Sequence, residues 1–168
     1  MTRTREELIG EAWGEGSGWL LDRLGDLGGL SDDPARFETD HPLVSELHRR
    51  HQGWRFGRTG LVFDSLVAAV CAQKVTGEEA SAAVRGLSYR FGDPAPGPNP
   101  GVRLPPAAER MAAAPYWEFH DLHLEKRRAD VIRAVSAEHD AIDCLALPSP
   151  QDAAAELARF RGIGAWSV

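Results

Sequence analysis

Followed along the chain, the apolar positions fall into a succession of helical stripes, with no convincing period-two strand and no internal repeat. The stretch WLLDRLGDL, Trp19 to Leu27, places Leu20, Leu21, Leu24 and Leu27 on one face, and Gly28-Gly29 ends it. After the loop LSDDPARFETDHP, Leu43, Val44 and Leu47 form a second stripe running to about Arg50, while Glu46, Arg49 and Arg50 face away. Gly60 to Gln73 is apolar nearly all round apart from Asp64 and Ser65, the pattern of a helix buried on most sides, and is expected to be the central helix. Asp64 sits in its first turn, where the helix dipole favours an acid. Thr76, three residues before Glu79, then predicts a capping box. The helix it opens carries Ala80, Ala83, Val84, Leu87 and Phe91 on one side and stops at Gly92.

The run DPAPGPNPGVR, residues 93–103, holds four prolines and two glycines and reads as a surface loop or mobile tether. Pro106 to Ala113 predicts a short helix closed by Pro115. Glu125 to about Glu138 predicts a longer one, with Ala129, Ile132 and Val135 inward and Lys126, Arg127 and Arg133 towards solvent. Ser149-Pro150, with Asp152 at the third helical position, starts a last helix that runs to about Arg159. Upstream of all of these, Glu6 to Trp13 fits a short helix and a strand equally well. The predicted fold class is all-α.

Composition changes this picture little. With 168 residues, 43% hydrophobic and 26% charged, the chain suits one soluble globular domain with a core of ordinary size. No run approaches a membrane span and MTRTREELIG lacks a signal-peptide core, so a cytoplasmic protein without a membrane partner is the expectation. Cys71 and Cys144 lie far apart and read as structural thiols. Charge matters more. A net charge of -6 opposes indiscriminate binding to polyanions, yet the basic residues cluster. Arg49, Arg50, Arg55 and Arg58 form one group, Lys126, Arg127, Arg128 and Arg133 a second, and Arg159 and Arg161 a third, and local sign outweighs the sum.

The candidate chemistry concentrates in the final stretch, LARFRGIGAWSV. Leu157, Phe160 and Ile163 are spaced to pack the last predicted helix against a tight Gly162-Ile163-Gly164 turn, and Ala165 to Val168 can begin a second helix. Such a turn brings bare backbone N–H groups close to an anion. Taken alone, the glycine pair reads as well as an ordinary loop, and Trp166 as core filling. Gln73 and Lys74 occupy the corner after the central helix, where a helix cap and a solvated charge are the plain alternatives. The pairs His48/His51 and His120/His123 have i, i+3 spacing but no accompanying ligand cluster, so no metal site is expected. Asp64, Asp130 and Asp152 are explained by capping or surface charge.

FRGIGAWSV resembles the hairpin of the helix-hairpin-helix DNA glycosylases, and FDSLVAAVCAQKVTGEEA resembles a segment of their alkylated-purine (3-methyladenine) branch; YWEFH and EKRRADVIRAV are similar to that branch as well. The resemblance spans most of Asp40 to Val168 and implies a partial glycosylase core there. Residues 1–39 are then an N-terminal segment, the tail of a sheet-bearing domain plus one helix. The implied activity is excision of alkylated purines from double-stranded DNA by hydrolysis of the N-glycosidic bond, without cofactor, the base being flipped into a pocket. Gly162, Ile163 and Gly164 match the phosphate-binding hairpin, and Gln73 and Lys74 match the corner that enters the minor groove. Lys74 departs from the apolar wedge of some members. Trp166 stands where bifunctional relatives have a Schiff-base lysine, which implies a glycosylase without lyase chemistry and a π-face for a cationic base. His123 stands where relatives commonly have glycine. The family's catalytic aspartate falls beyond Val168, so none of these residues is assigned a catalytic role and the chain is expected to be inactive, incomplete at both ends. The alternative is a non-enzymatic helix-hairpin-helix module that binds DNA.

Overall fold

The computed structural model of the chain describes residues 2–3, 7–146 and 149–167. They divide into two compact units, Met1–Thr59 and Gly60–Val168, a boundary twenty residues later than the resemblance draws it. Among the described residues, no helix is long and apolar enough to cross a membrane.

The first unit opens with the strand pair β1 (Thr2–Arg3) and β2 (Leu8–Ile9), antiparallel with Thr2 opposite Ile9 and Arg3 opposite Leu8. The ambiguous stretch before Trp13 is therefore extended at Leu8–Ile9, while Glu6 lies outside the described residues. Two residues are too short to set up the alternation that would have chosen the strand over the helix from sequence. The single helix predicted for Trp19 to Leu27 is two, α1 (Ser17–Asp22) and α2 (Leu24–Leu27), broken at Arg23. At Gly29 the chain takes φ +72°, and a Cβ there would collide with the Cβ of Arg55, so the turn and the close approach both demand glycine. α3 (Pro42–Arg50) follows the expected stripe, with Pro42 in its first turn and Glu46 paired to both Arg49 and Arg50.

The second unit is the hydrophobic body. α4 (Val62–Cys71) buries Phe63, Leu66, Val67, Val70 and Cys71, and is two residues shorter at each end than its apolar run, with Leu61 and Ala72 at its boundaries. An amide of its first turn is served from far along the chain: Phe63 N–H donates to Asp143 Oδ1 at 2.9 Å. The dipole expectation for Asp64 is outweighed. Burial, and secondarily the nearby Asp143, hold its carboxyl above the usual range.

α5 (Gly77–Phe91) carries the predicted capping box in both directions, Glu79 N–H to Thr76 Oγ1 at 3.2 Å and Thr76 N–H to Glu79 Oε2 at 2.9 Å. The Thr76 backbone bond, then the side-chain bond, hold the Glu79 carboxyl below its ordinary value. Residues 93–103 are not a tether. Pro94 bridges Arg103, Ala95 N–H reaches Val102 O at 3.0 Å, and Arg110 binds Asp93 with two bonds of 2.9 and 3.2 Å. Proline and glycine content signals turns, which here are closed across the loop.

Beyond it come α6 (Ala108–Ala113), α7 (Tyr116–His120), α8 (Lys126–Ser136), α9 (His139–Asp143) and α10 (Pro150–Leu157). The central element is α8 rather than α4: α4, α6 and α7 all pack on it, and Ala129, Ile132 and Val135 are fully buried. Its polar residues hid that position in the sequence, since Lys126 and Asp130 occupy a narrow outer face. The Ser149 hydroxyl caps α10 by accepting from Asp152 N–H at 3.2 Å, and the helix ends two residues before Arg159.

Candidate nucleic-acid interface

The terminal hairpin is seated as its spacing predicts, with Leu157, Phe160 and Ile163 all buried. The two glycines have different reasons to be there. Gly162 takes φ +106°, and a Cβ on it would come within 2.7 Å of Val131 Cγ2, so the fold requires it. Gly164 has neither a positive φ nor any neighbour within 4 Å of a would-be Cβ. Nothing in the fold demands glycine at this position, and its bare backbone faces open space. Among the described residues the amides of Gly164, Ala165 and Trp166 donate to no acceptor. Residues 165–167 form a turn closed by Ser167 N–H to Gly164 O at 2.8 Å, and Val168, where a second helix was expected to continue, lies outside the described residues.

Gln73 does not cap α4. Its Nε2 donates to Gly162 O at 2.9 Å and to Ser167 Oγ at 3.0 Å, tying the corner after α4 to both ends of the hairpin across about 90 residues of sequence. Lys74 beside it is exposed and left-handed, φ +57°. This costs a lysine more than it would a glycine, and it points the chain sharply away from α4. Trp166 is 67% exposed and fills no core among the described residues. Gln73, Lys74, Gly162, Gly164, Trp166 and Ser167 line one groove of about 600 Å³. The hairpin and the corner, separate motifs in the sequence, are two banks of a single site.

The groove has a third wall, of which the sequence singled out only Arg127, as a member of a basic cluster. Glu125 and Arg127, at the start of α8, also line it, and among the described lining residues Glu125 is the single carboxylate. Asp64, Asp130 and Asp152 do not line it: Asp130 pairs with Lys126 at 2.6 Å and Asp152 accepts from the Ser149 hydroxyl at 2.6 Å. The basic cluster around Arg127 also dissolves. Arg128, counted with it, is 7% exposed. Its guanidinium donates to Cys71 O at 2.9 Å and His123 O at 3.2 Å, with Glu125 Oε1 3.8 Å from its Nε. Arg128 thereby clamps the end of α4 to the turn before α8. That turn is left-handed at His123, φ +59°, so a residue other than glycine holds a glycine-like conformation there. The neighbouring Cys71 is fully buried, and burial pushes its thiol up to about 11 against the opposing pull of Arg128.

The remaining cations sort by whether they are occupied. Arg159 is paired with Glu138, whereas Arg161 beside the hairpin is exposed and unpaired among the described residues. The histidine pairs make ring and hydroxyl contacts instead of converging: His120 Nδ1 lies 3.2 Å from the Tyr116 hydroxyl, and His48 packs on Phe37 at 5.3 Å. No metal-ligating cluster occurs among the described residues.

The described residues are almost wholly helical, and a glycine turn, an adjoining polar corner and an exposed tryptophan share one groove. Among solved structures the chain is similar to the 3-methyladenine DNA-glycosylase from Archaeoglobus fulgidus, with a TM-score of 0.68 and 24% identity over 89% of this chain. The match takes in 53% of that protein, so the chain spans about half its length. The likeness shows a shared fold. No protein-family model matches the chain, and no curated protein matches it significantly.

Proposed function

We propose that this chain is the DNA-gripping part of a base-excision glycosylase that removes alkylated purines and lacks lyase activity. The observation that carries the reading is the pair of hydrogen bonds from Gln73 to Gly162 and Ser167, which unites the corner and the hairpin beside an exposed aromatic face. In this reading the free amides of Gly164 to Trp166 and the cation of Arg161 hold a backbone phosphate, contacts that position the duplex without reading its bases. Lys74 enters the minor groove. The indole of Trp166 takes the flipped base, where the attraction of a ring face for positive charge favours a cationic purine over a neutral one.

Glu125 is the sole described carboxylate on the groove and it is exposed, so the groove's described lining offers no desolvated acid to stabilise an oxocarbenium-like transition state. This favours, as a second reading, a module that binds lesions without cutting them. The test is direct. Fluorescence anisotropy with a duplex bearing an abasic-site analogue is expected to show salt-dependent binding, weakened about tenfold or more by Arg161→Glu. The 168 residues alone are expected to release no 3-methyladenine from methylated duplex DNA. Release would overturn the expected inactivity, and salt-insensitive absence of binding to any DNA would overturn both readings. Borohydride trapping on an abasic duplex is expected to give no covalent adduct, since an indole forms no imine. An adduct lost in Lys74→Ala would assign lyase chemistry to Lys74 instead.

A further inference from the structure

The first unit carries an aromatic and basic loop that plays no part in the groove. Between Glu46 and Asp64 the chain has no acidic residue, yet holds Arg49, Arg50, Arg55 and Arg58 together with Trp54 and Phe56, in a protein of net charge -6. Trp54 is 67% exposed and Phe56 82% exposed. Both rings are offered by a loop that is built, not loose. Trp54 N–H donates to His51 O at 2.9 Å, and the His51 ring lies 4.3 Å from the indole, 33° from parallel. The Arg55 guanidinium donates to Gln52 O at 2.7 Å and Trp54 O at 2.8 Å. Phe56 N–H is held by Asp32 Oδ2 at 2.9 Å and Arg58 N–H by Asp26 O at 2.8 Å. Beneath the loop, the glycine at 29 admits Arg55 at close range.

Charge decides what such a surface takes. Arg49 and Arg50 share one carboxylate, Glu46, Arg55 is satisfied by neutral carbonyls that leave its charge in place, and the Arg58 side chain has no partner among the described residues. Against the four arginines stand two carboxylates, Glu46 and the Asp32 that holds Phe56 N–H, so the patch keeps a cationic surplus around two exposed rings, which matches a strand that presents phosphates and unpaired base faces together. A duplex would show it phosphates alone. We infer that residues 51–58 form a second nucleic-acid contact, specific for single-stranded DNA, in which Trp54 and Phe56 stack on unpaired bases and Arg58 meets the backbone. This inference is independent of the glycosylase reading, since none of its residues lines the groove.

The test uses the full 168-residue chain and fluorescein-labelled oligothymidine. Trp54→Ala combined with Phe56→Ala is expected to weaken oligothymidine binding at least tenfold while leaving duplex binding unchanged. Arg58→Glu is expected to lower the salt slope for oligothymidine by about one. Arg161→Glu should do the reverse, weakening the duplex complex and sparing the single-stranded one, so failure of the groove reading and failure of this one are distinguishable. Unchanged oligothymidine affinity in the double variant, with helical circular dichroism retained, overturns the inference. So does binding of oligouridine tighter than oligothymidine, which would assign the surface to RNA.

Discussion

The two units contain helices of similar predicted quality and bury them to different degrees. Every residue of the hydrophobic core cluster lies between Phe63 and Ile163, whereas α1, α2 and α3 of the first unit contain no buried residue. Leu43 and Leu47 form the stripe expected of a buried face, yet remain 61% and 45% exposed. Periodicity reports that a face is available for burial; it does not report that a partner covers it. In the second unit the covering partners arrive from far along the chain, as when α8 receives α4, α6 and α7.

The largest contrast should come from matched truncations. Phe119→Ala, at a fully buried ring packed 5.3 Å from Phe91, is expected to destabilise the second unit by about 3–5 kcal/mol in urea unfolding. Leu43→Ala should change stability by no more than about 0.5 kcal/mol. Equal effects would erase the distinction between the units. Arg128→Met comes next, because it leaves the carbonyls of Cys71 and His123 without their donor. A loss of about 1–3 kcal/mol is expected, together with weaker duplex binding as both walls of the groove loosen. Asp143→Ala removes the long-range cap from Phe63 N–H and should cost about 0.5–2 kcal/mol.

The smallest effect is a pH signature. Folding holds Asp64 above its ordinary 3.8, so it favours the protonated acid. The stability tied to that proton is complete below pH 3.8 and is lost as pH rises through the folded-state value. Asp64→Asn should therefore raise Tm at neutral pH, and the gap from the parent should close below pH 3.8. A Tm difference independent of pH would assign the effect to packing instead.

Local signals were legible where their cause is local. The capping box of Thr76 and Glu79, the start of α10 at Ser149-Pro150 and the buried spacing of Leu157, Phe160 and Ile163 all depend on residues within a few positions of one another. The hairpin glycines and the Gln73-Lys74 corner were also legible as separate motifs, and Arg161 as a cation beside the first of them. Arg128 was misread because a charged residue in a basic run looks solvated until its carbonyl partners, up to 57 residues away, are in place. Glu125 gave no signal at all. A lone glutamate before a helix is ordinary, and it gains meaning from the Trp166 and Gln73 that share its groove.

By itself the sequence determined the helical class, most helix starts and stops, and the place of the glycine turn after the last helix, because these follow from backbone propensity, capping and short-range periodicity. Tertiary structure alone decided that α8 is the hub, that the first unit leaves its apolar faces open, and that Gln73 joins two motifs about 90 residues apart into one site. Each of those depends on contacts between distant segments, whose geometry is fixed only when the whole core closes.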